Sequence, residues 1–138
     1  MRTFLTAALV TVALSACGAP AAPAVDVSKG EIRADLKEYQ VALTSNTVRA
    51  GQVTFLVRNV GGMAHNFVVV KTDAAPDKIP LDTEKQIAKE DGKVGGIDGV
   101  APGKSANLRL DLAPGHYVVM CNIPTHYQLG MRAELTVQ

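Results

Sequence analysis

The 138-residue chain carries 14 Lys and Arg against 13 Asp and Glu, has no Trp, and is only 4% aromatic. That balance excludes a partner recognised by strong charge, nucleic acid above all, and the scarcity of aromatic rings argues against a surface that stacks bases. The length suits one domain with its own core and is short for two.

At the N-terminus, Arg2 precedes an apolar stretch from Phe4 to Leu14 and the tetrad Leu14-Ser15-Ala16-Cys17. The stretch is shorter than the roughly 20 residues a membrane-spanning helix needs and fits the roughly 7–15 of a secretory signal. It resembles a bacterial lipoprotein signal. The resemblance implies removal of residues 1–16, lipidation of Cys17 through its thiol, and a protein anchored on the periplasmic or cell-surface side of a bacterial membrane. Loss of Arg2 leaves 13 charges of each sign. Cys121 is then the one free thiol; a Cys17–Cys121 disulfide would need Cys17 in a folded region, whereas its neighbours are signal-like and linker-like. Residues 17–29, with the run GAPAAPAVDV from Gly18 to Val27, are expected to form a Pro/Ala-rich tether, and residues 30–138 the folded domain.

From Glu31 onward, short strand-like runs are separated by turn residues, the pattern of an all-β sandwich. Residues 31–39 and 40–43 come first. Residues 52–59 alternate Val53, Phe55 and Val57 against Gln52, Thr54 and Arg58, a half-buried strand ended by Gly61-Gly62. Residues 64–71 are more continuously apolar, with His65 at the start. Residues 72–105 are the least sheet-like. There Thr83 and Gln86 resemble a helix-capping pair ahead of Ile87 and Ala88, with Gly92 as a stop, which predicts one short surface helix. Residues 106–111 alternate again, Ala113-Pro114-Gly115 turns, and residues 116–121 form a strand that leads into the final run from Met131 to Val137.

Cys121, His126 and Met131 fall at intervals of five between two apolar runs, and His65 sits at a strand end beside glycines. One thiolate, two imidazoles and one thioether are the donor set of a mononuclear blue-copper site, soft enough for the reduced ion and hard enough for the oxidised one. Met63, two residues from His65, competes with Met131 for the thioether position. His116 and Met120 lie out of phase with Cys121 on their strand and read as edge and packing residues.

The segment APGHYVVMCNIPTHYQLGMRAELTV, residues 113–137, resembles the C-terminal end of a cupredoxin, with Tyr117, Cys121, Pro124, His126 and Met131 in the family's order. His65-Asn66 resembles the family's first histidine followed by a polar residue. Four residues separate Cys121 from His126, and four separate His126 from Met131, a loop similar to the rusticyanin and sulfocyanin type. Thr125 departs from the pattern, because long-loop relatives often carry Gly before the histidine.

The resemblance implies a Greek-key sandwich holding one copper ion. Cys121, His65 and His126 would be its strong ligands and Met131 the weak axial one. Asn66 would bond the backbone near Asn122 and so restrain both ligand segments. A buried hydroxyl contact is expected of Tyr117. The implied function is a monomeric, non-enzymatic one-electron carrier. Redox proteins would dock transiently where an edge of His126 reaches the surface among Gly62, Met63, Ile123, Pro124 and Leu129. An extracytoplasmic copper-delivery protein and a metal-free adhesive sandwich are the competing readings.

Overall fold

In the computed structural model, which describes residues 26–138, the alternating runs become two facing sheets. The strands are β1 (Glu31–Lys37), β2 (Gln40–Leu43), β3 (Thr47–Val48), β4 (Gly51–Asn59), β5 (His65–Lys71), β6 (Leu81–Asp82), β7 (Ile87–Ala88), β8 (Lys93–Val100), β9 (Ser105–Leu112), β10 (Gly115–Met120) and β11 (Arg132–Val137). One sheet has the order β2-β1-β4-β9 and the other β3-β11-β10-β5-β8. Pairing is parallel between β1 and β4 and between β3 and β11, and antiparallel in the other ladders. The expected signal, Cys17 and the tether up to residue 25 lie outside the described residues. The last tether residues, Val27–Lys29, form a 3-10 turn whose amides are capped by Asp26.

Period-two alternation explains which side chains meet. Ile32, Ala34 and Leu36 from β1 and Val53, Phe55 and Val57 from β4 are fully buried, and they pack against Phe67, Val69, Tyr117, Val119 and Leu135 of the opposite sheet. Truncating one of the aromatic anchors, such as Phe55, to Ala would cost about 3–5 kcal/mol. The Tyr117 hydroxyl donates to the Ala113 carbonyl at 2.8 Å, the structural contact expected of it.

β5 and β10 are buried on both faces, which is why their sequences are nearly continuous apolar runs. Val68, Val70, Val118 and Met120 point away from the main core into a second cluster. Ile79, Ala88 and Tyr127 close over them. The excursion from residue 72 to residue 92 thus forms a lid on the outer face of the second sheet.

That excursion contains no α-helix. Instead of the surface helix expected near Thr83, Leu81–Asp82 and Ile87–Ala88 pair as a small antiparallel hairpin. The capping pair is absorbed by the turn between them: Asp82 Oδ1 accepts from the Lys85 amide at 3.1 Å, and Gln86 takes a φ of 56°, which breaks any helical path. The thin apolar stripe of this segment gave a helix little to bury. Asn122 offers the backbone of Ala88 a better partner.

β8 lies in the stretch expected to be least sheet-like, yet KVGGIDGV forms a strand despite its glycines. The glycines are there for close approach. A Cβ on Gly95 would come within 2.6 Å of the Leu110 side chain, and one on Gly96 within 2.8 Å of the Phe67 carbonyl.

Candidate metal centre

β10 ends at Met120, and the chain then makes a compact loop before β11. The loop is bonded to itself: the His126 amide donates to the Ile123 carbonyl at 3.0 Å, that of Leu129 to Thr125 at 3.0 Å, that of Met131 to His126 at 3.0 Å, and that of Cys121 to Met131 at 3.0 Å. These bonds hold Cys121, His126 and Met131 at fixed spacings along the loop. Thr125 has a φ of 72°, a left-handed conformation that favours Gly, so the threonine bears strain.

His65 arrives from the other side, at the first residue of β5. Cys121 Sγ lies 3.8 Å from His65 Nδ1 and 3.4 Å from His126 Nδ1. The three donor atoms are within 4.8 Å of one another, and all three residues are buried. Such donors sit about 2.0–2.3 Å from a divalent first-row ion, so three of them around one ion stand roughly 3.5–4 Å apart. The spacing and the donor chemistry therefore both fit copper. Met131 is fully buried in the same cluster as Cys121, whereas Met63 is 47% exposed.

Burial governs protonation here. It pushes the Cys121 thiol up, against the backbone amides of Ile123 and Asn66 that favour the thiolate. Burial and the neighbouring His65 hold the His126 imidazole down, so both groups stay uncharged near neutral pH without a metal.

The restraint expected of Asn66 is present, its Oδ1 accepting from the Asn122 amide at 2.5 Å. The Asn122 side chain does more than was expected. Its Oδ1 accepts from the Ala88 amide at 2.8 Å, and its Nδ2 donates to the Ala88 carbonyl and to Glu90, both at 2.9 Å. The Thr125 amide donates to Gln86 at 2.9 Å, and the Tyr127 hydroxyl accepts from the Ile79 amide at 3.0 Å while donating to Pro76 at 2.6 Å. The hairpin is thereby fastened to the metal loop.

Two further residues escaped the sequence. Glu38, in the turn between β1 and β2, places its Oε1 3.2 Å from His65 Nε2, 2.9 Å from the Gly62 amide and 2.7 Å from the Met63 amide. Bonds from backbone amides, with a smaller contribution from His65, hold this carboxyl down at about 2. Tyr39 meets the His126 ring edge-on with centroids 5.1 Å apart. His126 is only 4% exposed, a smaller edge than expected, and Tyr39, 39% exposed, packs against its ring. Neither residue lies in a motif, and each is far along the chain from the histidine it touches. The two decoys read as expected, His116 exposed near Glu134 and Met120 buried on the outer face.

Residues 25–138 match the model for copper binding proteins of the plastocyanin/azurin family, and the chain belongs to that family. Copper is its cofactor, and His65, Cys121 and His126 with Met131 form a type 1 site. Among solved structures it is similar to the dithionite-reduced auracyanin of the photosynthetic bacterium Roseiflexus castenholzii, at 25% identity over 79% of this chain and 97% of that one, with a TM-score of 0.60. It has the fold of rusticyanin from Thiobacillus ferrooxidans, at 19% identity over 78% of this chain and 76% of that one, TM-score 0.61. It also has the fold of an azurin from Methylomonas sp. strain J, at 16% identity over 78% of this chain and 97% of that one, TM-score 0.55. Among curated proteins, none matches the sequence.

Proposed function

We propose that the protein is a one-electron carrier, held by a lipid on Cys17 at the outer face of a bacterial membrane and docking briefly with larger redox proteins. The observation that carries this reading is the burial of the three donors within 4.8 Å of one another. Bound copper supplies a one-electron couple. The chain supplies a set of donors whose positions are fixed by backbone hydrogen bonds and β-strands, so that little rearrangement accompanies a change of charge. His65, Cys121 and His126 are the strong ligands in this reading and Met131 the weak axial one. A closed site favours retention of the ion over its delivery, and no catalytic role is assigned.

Docking would take place where Tyr39, Met63 and Leu129, exposed by 39%, 47% and 56%, present apolar side chains beside the site. Small patches of this kind suit weak, short-lived complexes. Tyr39 joins the small edge of His126 in the surface a partner would meet.

Adding cupric ion to the protein should give an intense thiolate-to-copper absorption band, which Cys121→Ser abolishes. Met131→Leu should keep most of the colour and raise the reduction potential; an unchanged potential would count against the axial role. Loss of the metal to a competing chelator within minutes would favour the delivery reading, and a protein that ignores copper would end both. For the anchor, Cys17→Ala should move the exported protein from the membrane fraction to the soluble one.

A further inference from the structure

His65 is completely buried, and a buried ring nitrogen needs a hydrogen-bond partner on the side away from the sulfur. In this fold the partner is a carboxylate. Glu38 Oε1 lies 3.2 Å from Nε2, while Nδ1 faces Cys121 Sγ at 3.8 Å. The turn that precedes His65 is shaped to receive that carboxylate. Gly62 and Met63 direct their amides at Oε1, at 2.9 and 2.7 Å. A Cβ on Gly61 would strike both carboxylate oxygens, at 2.5 and 2.6 Å. Asn59 holds the turn from below, its Nδ2 donating to the Met63 carbonyl at 2.6 Å and its Oδ1 accepting from the Gly61 amide at 2.9 Å.

We propose that Glu38 is a positioning residue of the copper site: it accepts a hydrogen bond from His65 Nε2–H, which leaves the Nδ1 lone pair aimed at the metal position, and it sets a negative charge behind that ligand. A carboxylate paired with a ligand histidine fixes the ring's tautomer and raises its basicity. Greater donor strength and a nearby negative charge both favour the more highly charged, oxidised ion, so Glu38 holds the reduction potential below the value the donors alone would set. This rests on His65 being a copper ligand.

The competing role is purely structural, with Glu38 serving only to staple residues 61–63. Glu38→Gln separates the two, because the amide oxygen can still accept from Gly62 and Met63 while the charge is gone. In the copper-loaded protein at pH 7, Glu38→Gln should keep the fold and the thiolate band. Cupric affinity should fall about tenfold relative to cuprous affinity, equivalent to a rise of about 59 mV for one electron. Glu38→Asp, which restores the charge, should recover part of that shift, and Glu38→Ala should lose roughly 10–100-fold in cupric affinity. A Gln variant with the wild-type potential and affinity ratio would overturn the proposal.

Nitrogen-15 NMR of the metal-free wild-type protein provides a readout that requires no variant to fold. His65 should carry its proton on Nε2 and exchange it slowly; a proton on Nδ1 would equally overturn the idea. A protein that gave no colour with copper would defeat the carrier reading while leaving the tautomer measurable.

Discussion

The two segments that bring the ligands together are held by different means. The loop from Cys121 to Met131 is fixed by many hydrogen bonds, mostly between neutral groups, some within itself and others to the hairpin of β6 and β7, with the Asn122–Glu90 bond a charged exception. His65 begins a regular strand and depends for its ring orientation on one charged group from a turn 27 residues away. Neutral bonds set position and contribute stability, whereas a single charge beside a ligand acts on electronic balance as well. Disturbing the loop side should therefore show first in the stability of the folded chain, and disturbing the Glu38 side first in the redox properties of the site.

Among changes on the loop side, the largest stability loss should come from Asn122→Ala. Its side chain bonds both the amide and the carbonyl of buried Ala88, and truncation strands both. At roughly 1–3 kcal/mol for each buried group left unpaired, a loss of about 3 kcal/mol is expected. Denaturant unfolding of the metal-free protein checks this. A loss under about 1 kcal/mol would mean that the hairpin does not brace the loop and would break the contrast. Tyr127→Phe is the gentler version, since the ring stays in the outer cluster while the bonds to Ile79 and Pro76 are lost. It should cost about 2 kcal/mol by the same measurement.

The loop side was largely legible in the sequence because its constraints are local. Cys121, His126 and Met131 lie within eleven residues, and a strand on each side predicts that they meet. The alternation of β4 was equally readable, since a period of two marks one buried face, and the more continuous apolar run at 64–71 was readable as a strand. What stayed hidden depends on contacts across the chain. KVGGIDGV lacks a strand signature because Gly95 and Gly96 yield their side-chain volume to Leu110 and to the Phe67 backbone. Thr83 and Gln86 imitate a helix start, and only the pairing of Leu81 with Ala88 and of Asp82 with Ile87, held against the loop by Asn122, shows that the segment is a hairpin. By sequence Glu38 and Tyr39 end the strand-like run 31–39; in the structure they form the turn after β1, and their role exists only once that turn is folded against β5 and the metal loop.

Protons offer a third way to sharpen the contrast, because the one that copper displaces belongs to the loop. Burial raises the Cys121 thiol, so the metal-free site holds a neutral SH through neutral pH, while burial lowers His126 and leaves its imidazole already free of a competing proton. Binding as thiolate must release the thiol proton. Cupric affinity should then rise with pH by about tenfold per unit as long as the thiol remains protonated. Competition titrations at pH 6.5 and 7.5 would measure the slope, and a flat profile would mean that the thiolate is formed before the metal arrives.

The smallest effect expected lies at the junction itself, where the Thr125 amide donates to the Gln86 carbonyl and both residues have positive φ, at 72° and 56°. A β-branched residue in that conformation is strained by about 1–2 kcal/mol, and glycine would relieve it. Glycine also gives the unfolded chain more freedom, which offsets about 0.5–1 kcal/mol of the gain. Thr125→Gly keeps the donating amide and should stabilise the metal-free protein by roughly 0.5–1 kcal/mol, a rise in melting temperature of about 2–5 °C. Because the loop's hydrogen bonds rather than this strain set the ligand positions, the absorption band and the potential should not move. A Gly variant that melts higher but shifts the potential would show that the strain at Thr125 reaches the ligands, and the division between a neutral, position-setting loop and a charge-tuned His65 would have to be redrawn.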